Sequence, residues 1–250
     1  MTASTEDQLQ ERIRELEAEL ARQTREAAAK EQQLERYAAD LRETFKQERA
    51  RAQELRRSYM LTVRALASAV EARDAYTGRH AERVAAYGLQ LADAYGMRLG
   101  DQPEIEFGFL LHDAGKVAVP DAILFKPGRL TNAERLIIEQ HPVTGSEIVR
   151  DIEFLGAARD VIRHHHERWD GTGYPDRLAG EEIPLSARIF AVADTLDALT
   201  TNRPYRRAST IAQARAIILQ AGGTHFDPEV VEAFQRLSDE EIERIRLQIG

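Results

Sequence analysis

The chain has 250 residues, a formal net charge of −8 and no cysteine. This length suffices for one domain and an additional segment. The absence of cysteine excludes disulfide bonds and thiolate metal sites, and it fits a reducing cytoplasm. The acidic balance does not favour DNA binding, and no apolar run approaches the roughly 20 residues that a membrane-spanning helix needs. We therefore expect a cytoplasmic protein without membrane insertion.

Residues 1–58 are predicted to form a coiled coil. The segment contains neither glycine nor proline, and apolar residues recur at heptad spacing: Leu9, Ile13, Leu16, Leu20, Ala27, Leu34, Tyr37 and Leu41. Gln23 and Lys30 weaken this seam, and the frame then shifts by four residues to Phe45. We interpret the pattern as a parallel homodimer, because isolated polar helices gain little stability without a partner. A solvated single helix is the alternative.

From Tyr59 onward the sequence predicts shorter helices separated by turns rich in glycine, proline and histidine. Amphipathic helices are expected at 83–95 and at about 103–112. Three helix starts carry capping signals, namely Thr131 with Glu134, Ser209 or Thr210, and Asp227 followed by Pro228. No sustained two-residue alternation of apolar and polar residues occurs. The predicted fold class is all-α, a helical bundle preceded by a long N-terminal coiled-coil helix.

Histidine and aspartate residues concentrate next to these helices. The pair His112-Asp113 ends an apolar helix, His141 precedes a proline, and residues 164–166 are three consecutive histidines. Asp194 lies in an apolar helical stretch, where an unpaired carboxylate is costly. Each histidine alone is more simply explained as an ordinary core or surface residue. Together, imidazole and carboxylate groups without sulfur indicate a site for Mn, Fe, Co, Ni or Zn.

Six sequence segments resemble the HD-GYP family, a branch of the HD phosphohydrolase superfamily. In chain order they are DAYTGRHAERVA from Asp74, LLHDAGKVAVPDAILFKPGRLTNAE from Leu110, HP at His141, HHERWDGTGYPDRL from His165, ARIFAVADTLDALTTNRPYR from Ala187 and GGTHFDPEVV from Gly222. They cover nearly all of residues 59–236. The resemblance implies that residues 59–250 form an HD-GYP phosphodiesterase domain, preceded by a dimerisation or signalling helix at 1–58.

The resemblance also implies two divalent metal ions per chain, iron or manganese first, with zinc, nickel or cobalt as alternatives. One ion would be held by His80, His112, Asp113 and Asp194, and the other by Asp113, His141, His165 and His166. His164 is not part of the family's ligand pair, whereas Glu167 is expected to orient an imidazole. Some family members carry a glutamate that helps to bind a third metal at the position of Tyr76. Tyrosine is a poor ligand at neutral pH, so we expect two metals.

The implied reaction is hydrolysis of cyclic di-GMP to linear pGpG, with GMP as a further product. Two metal ions sharing a bridging water would lower its pKa and so supply the nucleophile, with Asp113 and Lys116 as catalytic residues. Substrate contacts would come from Lys116, Tyr174, Asp197, Arg203 and Arg206. The alternatives are a module that binds cyclic di-GMP with little turnover, and a phosphodiesterase for another cyclic dinucleotide.

Helical segments such as 1–58 resemble connectors between sensor or receiver modules and output domains. No globular segment precedes the heptads. An upstream input module would therefore belong to a partner or to a longer protein.

The isolated segment 1–58 is expected to self-associate, because pairing is what would bury its apolar seam. Sedimentation equilibrium over a range of concentrations measures this. A monomer at the highest concentration would contradict the dimer prediction.

Overall fold

The computed structural model describes residues 5–73, 79–97, 104–202 and 207–249, and within these ranges it contains eleven α-helices and no β-strand. The helices are α1 (Thr5–Glu71), α2 (His80–Tyr95), α3 (Glu104–Leu111), α4 (Asp121–Leu124), α5 (Asn132–Ile138), α6 (His141–Ile148), α7 (Gly156–His164), α8 (Leu185–Thr200), α9 (Ile211–Gln220), α10 (Pro228–Gln235) and α11 (Asp239–Ile249). The all-α prediction is confirmed. One isolated bridge joins Gly222 and Phe226.

The chain divides into two compact units, residues 1–58 and residues 59–250. The described part of the first unit is helical throughout and belongs to α1. Its predicted seam is exposed, with leucine and isoleucine side chains 53 to 67% accessible at Leu9, Ile13, Leu16, Leu20, Leu34 and Leu41. A single copy of this unit therefore leaves its apolar stripe unburied. Among the described helices, none combines the length and apolarity needed to cross a bilayer.

Three of the helix starts follow the predicted local chemistry. Thr131 caps α5 through a reciprocal capping box with Glu134, and Thr210 caps α9 through the same arrangement with Gln213. Asp227 caps α10 by accepting a hydrogen bond from the backbone N–H of Glu229. These caps satisfy backbone N–H groups that have no partner within the helix. The N-terminal signals in the sequence were therefore sufficient to locate these helices.

The core of the second unit forms where α2 packs against α8 and α3 packs against α7. Phe109 from α3 and Phe190 from α8 are fully buried, and their ring centroids lie 5.5 Å apart. The last part of α1 joins this core through Val63 and Ala67. Most residues of α8 are buried, which explains its predominantly apolar sequence.

A buried ion pair connects α2 to α8 within this core. The guanidinium of Arg83 donates from Nε to Asp197 Oδ1 at 2.6 Å and from Nη2 to Oδ2 at 3.1 Å. The Asp197 side chain is only 1% accessible. Although burial disfavours the charged form, hydrogen bonds from His80 and Arg83 lower the pKa of Asp197. The pair is thus both charged and desolvated, so each partner depends on the other.

Gly115 permits close contact between two backbone segments. It belongs to a 3-10 helix, Ala114–Ala118, which packs on α6. A Cβ atom at Gly115 would lie 1.9 Å from the carbonyl oxygen of His141 and 2.6 Å from the backbone N of Gly145. Both segments adjoin the predicted metal site, because Asp113 directly precedes the 3-10 helix and His141 begins α6. A side chain at position 115 would therefore push them apart.

Gly115→Ala is expected to lower the free energy of unfolding by about 3 kcal/mol, because backbone atoms cannot yield to the added methyl group. Gly156→Ala is the matched control. A Cβ at position 156 meets no atom within 4 Å, so this change should be neutral or stabilising by up to about 1 kcal/mol. Urea unfolding of metal-free protein measures both. Equal effects would contradict the close approach.

Asp197→Asn is expected to lower the free energy of unfolding by about 3 kcal/mol, because Arg83 would remain buried without a counter-charge. The exposed pair Arg163–Asp176 offers a control with the same chemistry, at 29% and 34% side-chain accessibility. Asp176→Asn should cost no more than about 1 kcal/mol. The same urea experiment applies, and similar losses in the two variants would refute the burial argument.

Candidate metal centre

The predicted ligand residues come from five separate parts of the second unit. His80 is the first residue of α2, and His141 is the first residue of α6. The pairs His112-Asp113 and His165-His166 directly follow α3 and α7, whereas Asp194 lies within α8. Most of these side chains therefore stand at helix ends, where the packing of helices brings them together.

Asp113 lies at the centre of this group. Its Oδ2 atom is 3.1 Å from His112 Nε2, and its Oδ1 atom is 3.3 Å from His141 Nε2. Lys116 Nζ approaches Oδ2 at 2.8 Å. The two oxygens thus face different histidines. A carboxylate in this arrangement is suited to bridge two metal ions.

One side of Asp113 faces a cluster of three histidines. A nitrogen from each of His141, His165 and His166 lies within 4.8 Å of the others. The Nε2 atoms of His141 and His165 are 3.1 Å apart. Three imidazole nitrogens that converge in this way form a set of ligands for a transition metal.

His80 and Asp194 form a second group, next to His112. His80 Nε2 lies 3.4 Å from Asp194 Oδ1, and the rings of His80 and His112 are 5.6 Å apart. Asp194 is 31% accessible, so it is less buried than its apolar neighbours suggested. The fully buried carboxylate on α8 is Asp197, one turn later.

Hydrogen bonds orient four of the histidines in the same sense. Nδ1 lies 2.8 to 3.0 Å from the backbone carbonyl three residues earlier in His112, His141 and His165. A carbonyl oxygen can only accept, so Nδ1 must carry the proton. In His80, Nδ1 contacts Asp197 Oδ2 at 2.7 Å. In the neutral imidazole these contacts place the proton on Nδ1 and leave Nε2 as the atom that can bind a metal.

The electrostatics of the site also suit a cation. Burial works against ionisation of Asp113, but His112 and Lys116 hold its pKa well below the usual value. Burial and the neighbouring histidines lower the pKa of His165, and they lower the pKa of His166 to about 3. These two imidazoles are therefore neutral at physiological pH, as metal ligands must be. The nitrogen and oxygen donors fit a divalent transition metal.

The signature segment Gly173-Tyr174-Pro175 packs directly on His166. The ring of Tyr174 stacks on His166 at 4.7 Å with an interplanar angle of 29°. A Cβ at Gly173 would lie 2.5 Å from both Arg168 N and Glu167 Cα. Glycine is thus required for the loop to approach this backbone so closely.

Glu167 anchors this loop. The sequence suggested that it orients an imidazole, but its Oε1 atom instead accepts hydrogen bonds from the backbone N–H groups of Asp176, at 2.7 Å, and Arg177, at 3.0 Å. No local pattern indicated this role, because it depends on how the loop folds back over the chain. Glu167 therefore fixes the loop rather than a ligand.

The remaining predicted site residues are placed as follows. Asp197, expected to contact the substrate, lies behind His80, and its oxygens form hydrogen bonds with His80 and Arg83. His164 Nδ1 faces Asp176 at 3.5 Å, which fits its exclusion from the ligand set. Tyr76, Arg203 and Arg206 lie outside the described residues.

Sequence reasoning overlooked Arg83 as a part of the site. Arg83 follows His80 by three residues, and Asp197 follows Asp194 by the same interval. Residues three apart share one face of a helix. Two charged residues on the buried faces of α2 and α8 were therefore a signal that could have revealed the pair behind His80.

Comparison with known proteins identifies a family for this chain. The profile of the HD-domain family matches residues 15–230. A 3′3′-cGAMP-specific phosphodiesterase of Vibrio cholerae is 44% identical over 177 residues, which cover 70% of this chain and 34% of that protein. A cyclic di-GMP phosphodiesterase of Pseudomonas aeruginosa is 46% identical over 164 residues, which cover 64% and 39%, respectively. The chain spans less than half the length of these two relatives.

Among solved structures, a cyclic GMP-AMP-specific phosphodiesterase of Vibrio cholerae is similar in fold, with a TM-score of 0.54. It is 20% identical, and the match covers 74% of this chain and 53% of that one. This likeness supports the helical architecture. The chain belongs to the HD-domain family, and the HD-GYP resemblance predicted from its motifs is confirmed.

Proposed function

We propose that the second unit hydrolyses cyclic di-GMP to linear pGpG, with GMP as the product of a second, slower cleavage. The observation that carries this proposal is the convergence of the histidine nitrogens on the two oxygens of Asp113, beside a loop that stacks Tyr174 on His166. The named activities of the two curated relatives support a cyclic dinucleotide as substrate.

Two divalent metal ions per chain, iron or manganese, are proposed as cofactors. His80, His112, Asp113 and Asp194 would hold one, and Asp113, His141, His165 and His166 would hold the other. When bound, such ions supply an acidified water molecule and compensate for the negative charge of the phosphate. Zinc, nickel and cobalt accept the same donor set.

Lys116 and Tyr174 are proposed to act on the substrate itself. Lys116 Nζ lies 2.8 Å from Asp113 Oδ2, so its charge stands beside the carboxylate at which a phosphate is proposed to bind. It would stabilise the charge that develops in the transition state, or donate a proton to the departing ester oxygen. Tyr174, whose ring stacks on His166, would contact the cyclic dinucleotide and position it. Arg203 and Arg206 remain proposed contacts to phosphate and guanine.

A second candidate substrate is 3′3′-cGAMP, because one 44% identical relative is named as specific for it. The two substrates share both phosphodiester bonds and differ at one purine. A binding module with little turnover is a candidate of another class. Direct comparison of the two nucleotides with the same protein separates all three.

Residues 1–58 are proposed to form a parallel homodimeric coiled coil that transmits a signal to the domain at 59–250. The exposed apolar stripe of the first unit supports this, since pairing of two copies would bury it. An upstream sensor or receiver module is proposed as the source of the signal.

Protein loaded anaerobically with Mn²⁺ or Fe²⁺ is expected to convert cyclic di-GMP to pGpG faster than it converts 3′3′-cGAMP. Chromatography resolves the substrates and products, and elemental analysis should find two metals per chain. Binding without turnover would establish the receptor alternative. Faster cleavage of 3′3′-cGAMP would reassign the substrate, and a ratio near three metals would contradict the dinuclear assignment.

The double variant H112A/D113A is expected to lose bound metal and to reduce turnover by more than about 100-fold. Loss of a residue that only orients a metal ligand already lowers metal affinity or activity by about 10–100-fold. His164→Ala is the control, since it removes a neighbouring histidine that faces Asp176 instead. Retained turnover in the double variant would overturn the mechanism.

A further inference from the structure

Helix α2, which begins with the ligand residue His80, has no cap of its own. The residue at its N-cap position, Arg79, adopts a left-handed conformation with φ 57° and ψ 32°, and its side chain makes no capping hydrogen bond. Instead, the Arg79 guanidinium pairs with Glu82. The first N–H groups of a helix lack partners within the helix. This N-terminus therefore needs an acceptor from elsewhere.

Glu71 supplies that acceptor from another helix. It is the last residue of α1, and its Oε1 atom accepts a hydrogen bond from the backbone N–H of Ala81 at 2.5 Å. Ala81 is 2% accessible, so water cannot readily replace this acceptor. The negative charge of Glu71 also suits the positive end of the helix dipole. Glu71 thus caps α2 across a gap of ten residues.

The cap is adjacent to the metal centre. Ala81 directly follows His80, and Glu71 lines the same cavity as His80, His112 and Asp113. We propose that Glu71 is a positioning residue: by capping α2, it holds the first turn of that helix so that His80 Nε2 remains directed at Asp194. This inference rests on the metal assignment in the proposed function.

The cap should affect one metal and not the other. His80 and Asp194 belong to one proposed metal, whereas His141, His165 and His166 are carried by α6 and the end of α7. Glu71 makes its hydrogen bond to α2 and not to these helices. Loss of the cap would therefore displace His80 while leaving the three-histidine cluster in place. This asymmetry distinguishes positioning from a general loss of stability.

Two conservative variants separate the hydrogen bond from the charge. Glu71→Asp keeps the charge but shortens the side chain by one methylene, so it cannot reach Ala81 N. Glu71→Gln removes the charge but keeps an acceptor oxygen at the same distance. Glu54→Asp, at an exposed position of α1, is the matched control. The measurement is a titration of the metal-free full chain with Mn²⁺, in which electron paramagnetic resonance reports the concentration of free Mn²⁺.

The wild-type chain is expected to bind two Mn²⁺ ions. In E71D one of the two dissociation constants should rise about 10-fold or more, as for other partners that orient ligands. The other constant, and both constants in E71Q and E54D, should stay within about threefold of wild type, since their ligand geometry is kept. Equal constants in E71D and wild type would overturn the proposal. A loss in E71Q would also overturn it, because it would identify Glu71 as a metal ligand or a charge partner.

These measurements require no substrate, so they remain decisive if cyclic di-GMP is not hydrolysed. In that case the proposed function fails while the role of Glu71 is still tested. A wild-type chain that binds fewer than two Mn²⁺ ions would refute both the dinuclear assignment and the inference built on it.

Discussion

Asp113 places a carboxylate where the ends of α3, α6 and α7 meet, with a side chain only 19% accessible, and a charge removed from water needs polar partners to compensate for its lost hydration. Its two oxygens face His112 and His141, and Lys116 approaches one of them. The other ligand residues are arranged around it in two groups. The packing of α3, α6 and α7 is therefore constrained by one carboxylate as well as by burial of apolar surface.

Backbone carbonyl groups orient three of the histidine ligands. In three histidines, Nδ1–H donates a hydrogen bond to the backbone carbonyl three residues earlier. That carbonyl is available because the histidine stands at a helix end. In His80, Nδ1 lies 2.7 Å from Asp197 Oδ2, so a carboxylate takes the place of the carbonyl. Asp197 in turn requires Arg83 as its counter-charge. The metal centre is thus continuous with the buried ion pair between α2 and α8.

The last turn of α1 and the residues after it border the site on two sides. Glu71 caps α2 beside His80. Arg73 donates to the carbonyl of Val117 at 2.7 Å and pairs with Asp121, just beyond Lys116. A change at the end of α1 would therefore reach residues near both His80 and Lys116. The signature loop is fixed separately, by Glu167 and by the close approach of Gly173.

The helical class, three helix starts and membership of the HD family could be predicted from the amino-acid sequence, because capping and helical periodicity act over three or four residues and motifs preserve residue type. The sequence could not predict which of the two aspartates on α8 is buried, which residue caps α2 or which backbone groups Glu167 binds. Asp197 and His80 are 117 positions apart, and nothing local in either segment specifies their contact. Such partners are chosen by the way helices pack, since a buried charge or N–H group must be satisfied by whichever side chain the fold brings to it.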